Sequence, residues 1–117
     1  MLHTATLLFV LTALGGILMA GIRFARKQNP PAWIAMVHGL LAASAMTLLA
    51  YSVFTEPVPT LATVALVLFV LAAGGGAVMS LVYKWHHRLL PSWLVGAHAT
   101  LAVAALLSLL MGTYGGG

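Results

Sequence analysis

Four apolar runs, each about as long as a helix must be to cross a bilayer, leave this chain of 117 residues few other ways to fold. A bilayer core takes about 20 residues of apolar helix. Runs of that length occupy roughly Thr4 to Ile22, Pro31 to Phe54, Pro59 to Tyr83 and Pro91 to Tyr114. Gln28-Asn29-Pro30-Pro31, Glu56-Pro57-Val58-Pro59 and Leu90-Pro91 separate them. Pro31, Pro59 and Pro91 suit the first turn of a helix, where the missing N–H costs nothing. Connections this short bring consecutive helices together as antiparallel neighbours. The expectation is an all-α, up-down-up-down, four-helix integral membrane bundle, with residues 1–117 forming one transmembrane domain.

Charge supports that class and excludes others. Apolar residues make up 62% of the chain and charged residues 5%, against about a quarter charged in soluble domains. A net charge of +4 would suggest nucleic acid in a soluble protein. Here the five basic residues fall in two short clusters, Arg23, Arg26 and Lys27, then Lys84 and Arg88. They read as topology signals that place the first and third connections in the cytoplasm, with no nucleic-acid partner. The termini and the Glu56 connection then lie outside, in a bacterial inner membrane. The first run ends in a basic cluster without a small-residue cleavage site, so it reads as a mature helix and not a leader. Cysteine is absent, which removes disulfides, thiolate metal sites and thiol-attached haem.

A shift of 60 positions superimposes the two halves without a gap. Phe9-Val10-Leu11 falls on Phe69-Val70-Leu71, Gly15-Gly16 on Gly75-Gly76, and Met19 on Met79. Pro31, Trp33, His38, Leu41, Ala42 and Ala45 fall on Pro91, Trp93, His98, Leu101, Ala102 and Ala105. Leu and Ala matches are cheap in such a composition, but matched Trp, His, Pro and paired Gly are not. The chain therefore reads as two tandem two-helix repeats, about 1–57 and 58–117. Units with an even number of helices enter the membrane from the same side, so they are related by an axis along the bilayer normal. Matched residues face each other across it at equal depth.

His38 and His98 follow Pro31 and Pro91 by seven residues, which places them about 10 Å inside the cytoplasmic end of their helices. Ionisable side chains at that depth face the bundle interior and mark candidate sites. Each lies on a stripe with Leu41, Ala42 and Ala45, or Leu101, Ala102 and Ala105, at the i, i+3, i+4, i+7 spacing of one helix face. A lone membrane histidine is usually satisfied by a neighbouring carbonyl. Two at equal depth across an axis are what a macrocycle between two imidazoles requires, so His38 and His98 are the candidate ligands of one haem b per chain. Gly15, Gly16, Gly75 and Gly76 come level with the histidines. They serve either close helix packing or a flat ring pressed against backbone. Arg23, Arg26, Lys84 and Arg88 suit carboxylates such as haem propionates, although lipid phosphates explain them equally. Trp33 and Trp93 read as interfacial belt residues.

With histidines on the second and fourth helices and glycines on the first and third, the chain resembles membrane cytochromes of the b type. The resemblance spans the whole chain in architecture and rests on His38, His98, Gly15, Gly16, Gly75 and Gly76. Those cytochromes commonly carry two histidines on each ligand helix and hold two haems. Each helix here has one, and His3 is matched by Thr63, so one haem is the limit.

Two imidazoles fill both axial positions of an iron, which implies electron transfer with a quinone or a partner redox subunit, and a homo-oligomer is a further possible assembly. Such a protein is a redox carrier more than a stand-alone enzyme. No apolar run contains an acid or lysine to serve as a proton or Schiff-base site, apart from Lys84 beyond the end of the third. Two other readings stand beside it. Met19 and Met79, near the histidine depth, would suit copper(I) with imidazole, and a cofactor-free accessory subunit of a larger membrane complex would need none of these residues.

Overall fold

A computed structural model describes residues 1–115. Among these, the chain is all-helical: α1 spans Leu2–Arg26, α2 Ala32–Thr55, α3 Thr60–Val78 and α4 Ser92–Tyr114, with α3 running on into a π-helical turn over Met79–Lys84. Four helices are long and apolar enough to cross a membrane, α3 and its π turn counting as one span, Thr60–Lys84. The molecule measures 43 × 20 × 18 Å, and its long axis matches a bilayer with its headgroups, about 40–45 Å.

Helix ends differ in detail from the expected ones. Pro31, Pro59 and Pro91 are not first-turn residues but N-caps, with ψ of 144°, 149° and 137°. A φ near −60° is common to helix and extended backbone, so the ring prepares the turn without making it. Their carbonyls accept the first helical bonds, from Ala35, Ala62 and Val95. α1 continues through Arg23 and Arg26, so these cations sit on the last helical turn, where they favour the negative end of the helix. Lys27 (φ 53°) and His87 (φ 56°), sixty positions apart, are the non-glycine residues with left-handed backbone.

α1 packs most closely on α2, and α3 on α4. Lesser contacts join α1 to α4 and α2 to α3. The buried core is one cluster of Ala5, Phe9, Ala45, Leu49, Ala62, Ala65, Phe69, Ala105 and Leu109. It occupies the half of the molecule that holds the chain's start and the α2–α3 connection. Alanines let the backbones approach, and Leu49 and Leu109 are fully buried between them. Phe9 of α1 and Phe69 of α3 stack face to face across the interior, centroids 3.7 Å apart and planes within 3°. At the same end Thr6 and Thr113 join α1 to α4 through their hydroxyls, 3.2 Å apart.

Phe9→Ala removes one ring of that stack. Lipid is as apolar as a protein interior, so the loss is one of packing, and the expected cost is about 1–3 kcal/mol against roughly 3–5 in a soluble core. Thermal unfolding in detergent checks this, with Leu11→Ala, on the exposed face of the same helix, expected to change little.

Candidate functional site

α2 and α4 bring their histidines together from opposite corners of the interior. The rings of His38 and His98 lie with centroids 6.3 Å apart and planes at 68°. Leu41, Ala42, Leu101 and Ala102 are half-buried on the same stripes, and Ala45 and Ala105 fully buried.

Each ring is fixed by its own helix pair. His38 Nδ1 is 2.9 Å from the Thr12 carbonyl on α1, and His98 Nδ1 is 2.6 Å from the Ala72 carbonyl on α3. A carbonyl only accepts, so each Nδ1 carries the proton and donates, leaving each Nε2 with a free lone pair. Thr12 and Ala72 are themselves sixty positions apart, so both imidazoles take the same tautomer from equivalent partners.

The glycines explain why those carbonyls can be reached. In a helix the residues at i+3 and i+4 flank the carbonyl of residue i, and after Thr12 and Ala72 these are Gly15-Gly16 and Gly75-Gly76. A Cβ on Gly16 would lie 3.2 Å from His38 Cε1, and one on Gly76 3.3 Å from His98 Cε1. A Cβ on Gly15 or Gly75 would stand 3.6 or 3.7 Å from the corresponding ring. The glycine pairs therefore seat the Nδ1–Cε1 edges of the histidine rings themselves against α1 and α3. Gly74 faces open space.

The separation of the rings is informative. A direct imidazole–imidazole hydrogen bond of about 2.9 Å would put collinear centroids only about 5.2 Å apart. With metal–nitrogen bonds of about 2.0–2.1 Å and ring nitrogens about 1.1 Å from their centroids, two imidazoles on opposite sides of one ion have centroids about 6.2–6.4 Å apart. The observed 6.3 Å is longer than a direct collinear hydrogen bond gives and equals the spacing two imidazoles would have on one ion, and it also lies within the range of about 4.5–7 Å for edge-to-face ring pairs. No group of three or more His, Cys, Asp or Glu occurs among the described residues, so any ion held here takes two ligands from the chain's histidines.

The basic residues divide into two sets. Arg23 and Lys84 are half-buried, and both reach across to the other helix pair. Arg23 Nε donates to the Leu90 carbonyl at 2.8 Å, and Lys84 Nζ donates to the Pro30 carbonyl. Arg26, Lys27 and Arg88 are exposed, the Arg88 guanidinium resting over the Tyr83 ring at 5.0 Å. Met19 and Met79 are half-buried on α1 and at the first residue of the π turn. Trp33 and Trp93 are exposed, as interfacial residues are.

The Thr12 and Ala72 carbonyls were missed by reasoning on side chains, although the glycine pairs at i+3 and i+4 carried the signal. Asn29 was missed as well. Its side chain donates to the Arg88 carbonyl at 2.9 Å and accepts from Leu90 N–H at 3.0 Å.

Compared with known families, curated proteins and solved structures, the chain matches none.

Proposed function

We propose that this chain is a single-haem, b-type membrane cytochrome, an electron carrier whose iron is held by Nε2 of His38 and Nε2 of His98. The single observation that carries the reading is the pair of imidazoles facing each other at 6.3 Å, each with its proton committed to a carbonyl on the far side. Two protein ligands are too few for zinc, which takes four. A haem held by His38 and His98 would supply one-electron transfer.

The chain's own residues hold and tune that centre. Hydrogen bonds from Nδ1 to Thr12 and Ala72 carbonyls fix ring orientation and raise the basicity of Nε2, as outer partners of metal-bound imidazole do. Phe9 and Phe69 close the interior on one side of the histidines. The packed core continues beyond them. Arg26 and Arg88, exposed on the nearer face, are available to carboxylates.

In this reading the chain is a tandem duplication, two hairpins in an up-down-up-down bundle related by an axis along the bilayer normal. Its membrane is a bacterial inner membrane, basic connections inside and termini outside. The site lies nearer one face, so electrons pass to or from a membrane quinone, a partner redox subunit or another copy of the chain.

Visible spectra of the detergent-purified protein test the cofactor. A Soret band with sharp alpha and beta bands on reduction is expected. A colourless protein that stays colourless with added haem overturns the reading, and copper on elemental analysis would favour Met19 and Met79 with the histidines. Orientation is tested separately, because the natural chain lacks cysteine. In intact cells a membrane-impermeant thiol reagent is expected to label Glu56→Cys and to leave Lys27→Cys unlabelled. The reverse pattern would invert the topology.

A further inference from the structure

We propose that Arg23, Lys84 and Asn29 form a polar clasp that sets the spacing of the two helix pairs at the histidine end, and with it the gap between the two imidazoles. Resting on the cofactor reading above, this makes them positioning residues for the haem site.

The clasp is reciprocal. Arg23 belongs to the first helix pair and holds the carbonyl of Leu90, next to the proline that caps α4. Lys84 belongs to the second pair and holds the carbonyl of Pro30, next to the proline that caps α2. Pro30 and Leu90 are sixty positions apart, and each lies eight residues before a histidine. Each cation thus anchors the start of the other pair's histidine helix, about 12 Å along the helix from the ring.

The π turn makes this reciprocity possible. By the shift of sixty, Arg23 is matched by Tyr83, not by Lys84. At the end of Met79–Lys84 a backbone bond spans five residues, Trp85 N–H to Ser80 carbonyl at 2.8 Å, and the Arg88 N–H then closes on the Tyr83 carbonyl at 2.8 Å behind the left-handed His87. A π turn takes in one more residue than an α turn, so Lys84 stands where α1 presents Arg23. Tyr83 is released to lie under Arg88. α1 has no such turn and needs none.

Leu90, Leu94 and Val95 are buried at this end, outside the shared core cluster. The shared core, with its Phe9–Phe69 stack, lies on the other side of the histidines. Asn29 adds two further bonds between the connections, through Arg88 and Leu90. Together these are charge-assisted or paired hydrogen bonds at the membrane edge, where water competes less than on an open surface. The histidine gap is thereby pinned from both sides, by aromatic packing outward and by the clasp inward.

The test uses spin-label distances in the full chain together with haem retention. One label pair replaces Trp33 and Trp93, exposed near the clasp. A reference pair replaces Phe54 and Tyr114, exposed at the opposite end. In R23M/K84M the Trp33–Trp93 distance is expected to lengthen and broaden while the reference pair stays unchanged. Haem retention should fall roughly tenfold, the loss typical of outer-sphere changes, with altered low-spin EPR g values. R23K is expected to restore most of it in an otherwise natural chain. An unchanged Trp33–Trp93 distance overturns the clasp, and so does equal change at both pairs, which would be loss of the fold. A natural chain that takes up no haem refutes the cofactor reading alone, because the distances still decide the clasp.

Discussion

Replacing either His38 or His98 by alanine is expected to abolish the low-spin haem spectrum of the proposed cytochrome, and the double variant is expected to be no worse than either single one. In the proposed site the two rings would act as a unit, each one half of a coordination axis, and neither has a substitute within the histidine level. His3, His86 and His87 are all exposed and on the ends of the molecule. A lone remaining imidazole would leave an iron with an open position and a weaker hold, so the loss is of the cofactor and not merely of its reduction potential. His98→Met gives a finer reading. A thioether in place of one imidazole keeps two axial ligands and raises the potential, as histidine–methionine ligation does. Optical and EPR spectra of the four variants decide it. A bis-histidine spectrum surviving in either alanine variant overturns the ligand assignment.

Gly16→Leu should do nearly as much damage without touching a ligand. The first added atom would stand 3.2 Å from His38 Cε1, closer than such atoms normally approach. The rest of the side chain would crowd the ring, which the Thr12 carbonyl bond holds beside that position. His38 turns away, its Nδ1 loses the carbonyl, and Nε2 no longer points across the gap. Haem affinity is expected to fall by at least the roughly 10–100-fold seen when an outer partner of a metal-bound imidazole is lost. Gly76→Leu repeats the effect on His98, where the corresponding approach is 3.3 Å. Gly21→Leu is the control, since nothing lies within 4 Å of that position. If Gly16→Leu binds haem as the natural chain does, the glycine pair is packing alone.

These two expectations differ in how far they were visible before the fold. The histidines stood out as ionisable residues in apolar helix at matched positions. The four helices were visible for a related reason, since lipid demands length and apolarity of each span locally, residue by residue. The role of the glycines was only half visible. Their level with the histidines was evident from counting, but whether the space they leave faces a cofactor or the imidazole depends on how α1 turns toward α2. Arg23 and Lys84 were least legible. Charge placement explained them as topology signals and as partners for propionates, and nothing in their spacing showed that each reaches a carbonyl of the other helix pair.

What the chain's order of residues determined by itself is a matter of local demand and of repetition: apolar length, turn prolines, charge at the connections, and a pairing of residues sixty apart that puts His38 opposite His98. What only the tertiary structure decided is register and rotation. The 6.3 Å gap, the carbonyls that hold the rings, and a π turn that exchanges Tyr83 for Lys84 all depend on angles between helices. Those angles follow from the packing of many small side chains at once, and a one-residue change in helical pitch, invisible in a gapless repeat, alters which side chain faces across.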